Sequence, residues 1–337
     1  MHHKSITLQT ICNTIVALIC FIIVVLFYWK AINKPLPDNR ADLAGSMGIS
    51  SKPTTDLKTA QFGDVGSKVF GDYEVKILPE EDATSDRSEH QIPNRYEILH
   101  KAKLVRRSVT GKDAFGFQSL ISEVSGEDIT GNGLPNLVIL SWSGGNHCCY
   151  QYEIFELGSK LRLLDTLDVG DAGEDSHFEK RGNDNNRLFV TKDYFFDLGS
   201  SFADSPTPKV ILQYCDGKYR LADDVMRKPP IDKGKQAEII KKIEDIAITE
   251  GQLPTLLWST MLDLIYTGNE NEAWIFFEKA WPKKRFMKNR HVAFSEEDPL
   301  TLPDKQESVR GFRKQLQKSK YWREIKMMNA GQKICPN

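Results

Sequence analysis

The chain has 337 residues, 40% apolar, 10% aromatic and 27% charged, with a formal net charge of -1. That balance excludes a disordered, collagen-like or multi-span membrane chain, and the length argues for roughly two domains. A near-neutral total also argues against a nucleic-acid partner, because phosphate binding needs concentrated positive charge. The charge is unevenly spread. Residues 41–225 carry ten more acids than bases, and residues 226–337 six more bases than acids. Halves of opposite sign are a reason to divide the chain between them.

Residues 1–5 read as a short cytoplasmic head. Residues 6–29, opening at Ile6 and closing at Trp29, contain no charged side chain. At about 1.5 Å per residue they reach roughly 36 Å, enough to cross a hydrocarbon core of about 30 Å. Tyr28, Trp29 and Lys30 close the segment as an interface anchor. A cleaved signal peptide would need a shorter apolar core and small residues at its cleavage site, whereas Phe27-Tyr28-Trp29-Lys30 is bulky. The segment therefore predicts a single-pass signal anchor, with the bulk of the chain on the extracytoplasmic (periplasmic or extracellular) side. Lys4 before the span and Lys30, Lys34 and Arg40 after it leave the charge rule nearly silent on orientation. Cysteine usage agrees with an oxidising compartment: Cys12 and Cys20 lie in the span, and Cys148, Cys149, Cys215 and Cys335 form an even set outside it. Four buried thiols in a cytoplasmic domain are the alternative.

Residues 30–60, with Pro35, Pro37 and Pro53 and no apolar period, read as a linker. Residues 61–225 predict a β domain, with strands over 69–78, 96–105, 115–123, 136–142, 150–157, 161–169, 187–195, 209–214 and 219–221. Strands so closely spaced are joined by hairpins, which implies an antiparallel sandwich or propeller-like sheet. Residues 80–93 read as a surface loop. From 226 to 337 the apolar period lengthens to about 3.6, predicting a small helical array with helices over 236–249, 254–267, 270–281 and 305–327. Gly268 suits a left-handed helix end, and Asn269 with Glu272 suits a helix start. The fold class expected is α+β.

Residues 128–139 carry Asp128, Thr130, Gly131, Asn132, Gly133 and Asn136 before an apolar strand. This stretch resembles the calcium loop of FG-GAP/VCBS-type repeats, the integrin-like β-propeller modules. The resemblance implies a calcium ion held by side-chain oxygens of Asp128, Thr130, Asn132 and Asn136 and by the carbonyl of Leu134, because calcium takes six to eight hard oxygens. Thr130, Asn132 and Asn136 stand where that family carries carboxylates, leaving one formal charge. The residues themselves favour a simpler turn, in which short polar side chains cap their own backbone and Gly131 and Gly133 take positive φ. The cofactor expected is none, or one weakly bound calcium.

The strand leads into Ser141-Trp142-Ser143-Gly144-Gly145-Asn146-His147-Cys148-Cys149-Tyr150. The pattern G-G-x-H-C-C after such a turn is similar to one in uncharacterised bacterial exported proteins, and no activity follows from it. A hydrolase reading makes Cys148 or Cys149 the nucleophile, His147 or His177 the base, and the Gly144-Gly145 amides an oxyanion site. A zinc site would need four ligands, which three consecutive residues cannot easily wrap around one ion. The favoured reading is a tight turn stapled by disulfides. One vicinal cysteine is expected on Cys215 and the other on Cys335, with a Cys148–Cys149 ring plus Cys215–Cys335 as the competitor.

Residues 258–281 resemble a tetratricopeptide-like helix pair, although their Trp and Phe stripes are more often core than binding groove. Two basic stretches follow, Lys283, Lys284, Arg285 and Lys288 in one and Arg310, Arg313 and Lys314 in the other. A solvated helix face is the default reading; anionic lipid headgroups, an acidic partner or the chain's own acidic half could also face them. No P-loop, G-x-S-x-G elbow, HExxH helix or CxxC pair is present. The function expected is a non-catalytic, membrane-anchored extracytoplasmic binding or scaffold protein with a protein or envelope partner. The rivals are the Cys/His hydrolase and a calcium-dependent adhesion module.

Overall fold

A computed structural model describes residues 65–79, 94–108, 118–145, 148–173, 175–182, 186–196, 204–250, 253–282 and 304–335. The expected head, apolar span, linker and 80–93 loop lie outside these residues, as do His147, Lys283, Lys284, Arg285 and Lys288. Among the described residues no helix is long and apolar enough to cross a membrane. The fold is α+β, as expected, with three four-stranded antiparallel sheets and six helices among those residues.

Each sheet is a meander of consecutive strands. The first holds β1 (Gly66–Phe70), β2 (Tyr73–Pro79), β3 (Asn94–His100) and β4 (Lys103–Arg107). The second holds β5 (Gln118–Ile121), β6 (Asn136–Gly145), β7 (Cys148–Leu157) and β8 (Leu161–Gly170). The third holds β9 (His177–Lys180), β10 (Arg187–Lys192), β11 (Lys209–Cys215) and β12 (Lys218–Leu221). Twelve strands replace the nine expected, largely because two expected strands are hairpins. Residues 69–78 turn at Gly71 (φ 59°), and Phe70 pairs with Tyr73. Residues 96–105 turn at Lys101 (φ 51°) and Ala102 (φ 61°), and His100 pairs with Lys103. Two consecutive positive φ values match the right-handed twist of the flanking strands. Neither residue is Asn, Asp or Gly, so no turn chemistry marks the break.

The second sheet is covered on both faces. On β6, Leu137 and Ile139 face a core with Tyr73, Val75, Ile77, Tyr96 and Ile98 of the first sheet. Val138 and Leu140 alternate to the other side, into a core with Phe178, Phe189 and Tyr219 of the third. Double burial explains why this strand reads as a continuous apolar run. The far face of the first sheet carries the ion pairs Lys76–Glu74 at 3.4 Å and Arg107–Glu97 at 2.8 Å beside the exposed apolar side chains of Val69 and Leu104.

Strands give way to helices after Leu221. The helices are α1 (Asp223–Met226), α2 (Lys233–Glu250), α3 (Thr255–Tyr266), α4 (Glu270–Ala280), α5 (Lys305–Lys318) and α6 (Trp322–Asn329). They share one hydrophobic core with the second and third sheets, and residues 55–337 form a single compact unit. Trp258 holds the array together, with its ring centroid 5.8 Å from Phe277 and 5.0 Å from Phe312.

Gly268 takes φ 84° between α3 and α4, the left-handed position expected for it. Asn269 does stand at the start of α4, but its side chain caps nothing there. Its amide donates instead to the Lys228 carbonyl at 3.0 Å, and the Glu270 N–H donates to Asn329 Oδ1 of α6 at 2.7 Å. The expected 305–327 helix is two helices, since Ser319 leaves α5 at ψ 134°.

Gly311 sits exposed inside α5, and no atom lies within 4 Å of the place a side-chain methyl would take. Gly311→Ala should therefore raise stability by about 0.5–1 kcal/mol, through lower unfolded-state entropy alone. Urea unfolding tests this, and a destabilised variant would show a packing role for the glycine.

Candidate functional site

The calcium-like loop is held by its own backbone. Asp128 Oδ1 accepts the N–H groups of Thr130 at 3.2 Å, Gly131 at 2.7 Å and Asn132 at 3.2 Å, and Oδ2 accepts that of Gly133 at 2.7 Å. Asn136 is fully buried, its Oδ1 accepting the Ile129 N–H at 2.9 Å. Asn132 Oδ1 accepts the Leu134 N–H at 2.9 Å, and its amide donates to Glu156 Oε2 at 2.5 Å. Gly131 and Gly133 take φ 77° and 85°. The positive φ of Gly131 favours glycine, and a Cβ there would also stand 2.0 Å from Asn186 Oδ1 and displace that side chain. The positive charge beside the loop is Arg162, whose Nη2 lies 2.9 Å from Glu156 Oε2. Its hydrogen bonds hold the Glu156 carboxyl below the usual range. Of the five residues named for calcium, Asp128, Asn132 and Asn136 accept loop N–H groups, which is the self-capped turn that the residues themselves favour.

The cysteine pairing differs from the favoured expectation. Cys215 and Cys335 are bonded to each other, with Cα atoms 5.8 Å apart, so neither vicinal cysteine pairs with Cys215 or Cys335. The reason is the path of the C-terminal tail. Glu324 of α6 accepts from Arg220 Nε at 2.9 Å and from the Leu221 N–H at 2.7 Å, docking α6 on β12. The Ile334 N–H then donates to Asp223 Oδ1 at 3.2 Å, which brings Cys335 beside the β11–β12 hairpin. Cys149, at the start of β7 in another sheet, is itself disulfide-bonded. The side chain of Cys148 lies outside the described residues.

An open cleft of 270 Å³ lies where the second and third sheets meet the α5–α6 corner, lined by Asp168, Asp171, Lys192, Phe195, Lys318 and Lys320 among others. Its inner wall is Asp193, which is 3% exposed. Asp193 Oδ2 accepts from Tyr266 Oη at 2.7 Å and Ser319 Oγ at 2.5 Å, and Oδ1 accepts the Phe195 N–H at 3.2 Å. These bonds join the end of β10, the end of α3 and the α5–α6 corner at one carboxylate. Burial, together with the Asp193 charge, drives the Tyr266 hydroxyl well above the usual tyrosine range, so it remains a donor. Lys320 Nζ donates to the Asp168 carbonyl across the cleft mouth, and Lys192 pairs with Asp175 at 2.8 Å. Phe195 remains 43% exposed on the rim. None of these residues stands in a sequence motif. The available signal was the polar pair Ser319-Lys320 interrupting the apolar period of residues 305–327.

His177, the second base considered for a hydrolase, opens β9 and lies 2.8 Å from Glu179 Oε1. The hydrogen bond raises the imidazole above its ordinary 6.5 and lowers the Glu179 carboxyl. A raised histidine contributes stability below its unfolded value and loses it as pH rises through the folded one. A lowered carboxyl loses its contribution as pH falls. The pair is therefore tightest between the two. An NMR titration should place His177 above 6.5 and Glu179→Gln should bring it back; a midpoint unmoved by that change would rule out the contact.

Arg310, Arg313 and Lys314 are exposed on α5, and the Arg313 guanidinium lies 4.6 Å from the Trp274 ring centroid. The helices α3 and α4, over which a tetratricopeptide-like pair was expected, turn their Trp258 and Phe277 rings into the shared core. Compared with family models, curated proteins and solved structures, the chain finds no match.

Proposed function

We propose that this chain is a non-catalytic binding or scaffold protein, anchored in a membrane by one N-terminal helix, with residues 61–337 on the extracytoplasmic side. The observation that carries this reading is the Cys215–Cys335 bond, with Cys149 also oxidised. Structural disulfides belong to oxidising compartments, and the uncharged segment from Ile6 to Trp29 supplies a means of staying at the membrane there. The cleft bordered by Phe195 and Lys320 is the proposed ligand surface, since a concave junction with converging polar groups is the ordinary form of a binding site.

Against Cys149 as the hydrolase nucleophile stands the chemistry of sulfur: in a disulfide it offers no thiolate for attack. For the calcium-dependent adhesion reading the loop offers a single carboxylate, Asp128, beside neutral oxygens, and low ligand charge weakens a calcium site. Carbonate extraction and protease added from the extracytoplasmic side test the anchored reading. The chain should stay with the membrane and lose its residues beyond about 40. Recovery of a soluble chain beginning after the apolar segment would overturn the anchor. Affinity capture from solubilised membranes, with Phe195→Asp as the comparison, tests the cleft: equal recovery of the same partners by both would remove it as the ligand surface.

A further inference from the structure

Helix α5 has two unlike faces. Phe312 and Leu316 are buried, whereas Arg310, Arg313, Lys314 and Lys318 are exposed. Arg310, Lys314 and Lys318 recur every fourth residue, which stacks them in one stripe with Arg313 beside it. Like charges at that spacing repel one another and weaken a helix. The fold does not relieve the repulsion locally. Within α5 the only acid is Glu307, in the first turn. Nearby carboxylates are taken elsewhere, Glu278 by Lys305 at 2.7 Å and Glu324 by Arg220 at 2.9 Å. Among the described residues none of the four cations forms an ion pair, although Lys318 also borders the cleft that Asp168 and Asp171 line.

The rest of that face is Gln306, Gly311 and Gln317, all exposed. Protein interfaces draw most of their affinity from apolar and aromatic anchors in a dry centre; on α5 itself this face carries none, and the one ring beside it, Trp274, is half-buried against the Arg313 guanidinium. A surface of Lys and Arg without apolar residues suits contact with headgroup phosphates rather than insertion. We propose that the α5 stripe of Arg310, Arg313, Lys314 and Lys318 docks the folded body against phosphate headgroups in the extracytoplasmic leaflet of its own membrane, a leaflet that must itself hold anionic phospholipid. The proposal rests on the anchored reading above. A linker of about 30 residues has a reach of roughly 30 Å, which holds the stripe at high effective concentration near the bilayer.

The test uses the full chain in nanodiscs, comparing pure phosphatidylcholine with discs holding about 30% phosphatidylglycerol. Lysine acetylation read by mass spectrometry should slow at least about threefold at Lys314 and Lys318 in the anionic discs and recover in about 0.5 M NaCl. Exposed Lys241 and Lys242 on α2 serve as the control and should not change. In the Arg310→Glu, Arg313→Glu double variant the protection of Lys314 and Lys318 should vanish while labelling of the control lysines stays as before. Equal labelling in both discs overturns the proposal and leaves an acidic protein as the partner. Should the chain not enter discs at all, the anchor reading fails separately. Co-sedimentation of that soluble chain with phosphatidylglycerol vesicles then decides the stripe: salt-sensitive binding supports it, and none overturns it.

Discussion

Replacing Cys335 with serine should lower stability by about 2–5 kcal/mol, a large loss for a residue in the C-terminal tail. The bond links residues 120 apart in sequence. In the chain-entropy model a loop near that length restricts the unfolded ensemble by about 4–5 kcal/mol, and measured losses are usually about 2–4 kcal/mol. For a body of this size the thermal midpoint should fall by roughly 5–12 °C. The effect also reaches the native state, because Cys335 follows Ile334, whose backbone is held on Asp223. Cys215→Ser should produce the same loss, and the double variant no more than either alone, because both remove one bond. Thermal unfolding followed by circular dichroism tests all three. Single variants with an unchanged midpoint, or a double variant with a doubled loss, would refute the pairing.

Asp193→Ala should cost about 3 kcal/mol, although the residue belongs to no motif. The substitution removes the acceptor of Tyr266 and Ser319, leaving two buried hydroxyls without it. Each buried donor so abandoned costs about 1–3 kcal/mol, partly offset by the 3.2 Å contact that Tyr266 and Ser319 keep with each other. Tyr266→Phe removes one donor and its need together, so it should cost less, about 1 kcal/mol. In a double-mutant cycle the two should couple by at least about 1 kcal/mol. Equilibrium urea unfolding gives these numbers. Additive losses would mean the three groups do not act as one hub, and a near-neutral Asp193→Ala would remove it altogether.

The same carboxylate explains why the cleft was not legible in the sequence. Asp193, Tyr266 and Ser319 are separated by 73 and 53 residues, and no local period relates them. The polar turn at residues 128–136, by contrast, closes within nine residues, so Asp128, Gly131 and Gly133 announced it directly. Gly268 was equally legible, since one glycine after an apolar period is enough to end a helix. Asn269 was misread for the opposite reason. A suitable capping residue was present, but Lys228 and Asn329, distant in sequence, determined which bonds were made.

By itself the sequence determined the uncharged N-terminal segment, the antiparallel hairpins, the change to helix near residue 225 and the polar turn before β6. All four depend on residues within a few turns of one another, where side-chain period and backbone preference act without help from the rest of the chain. Only the tertiary structure decided that Cys215 bonds Cys335, that the middle sheet is covered on both faces, and that the α5 stripe forms no ion pair among the described residues. Each of those turns on which surfaces meet through space. Glu324 docks α6 on β12 and so carries the tail to Cys215, an outcome set by one long-range contact that no local pattern encodes.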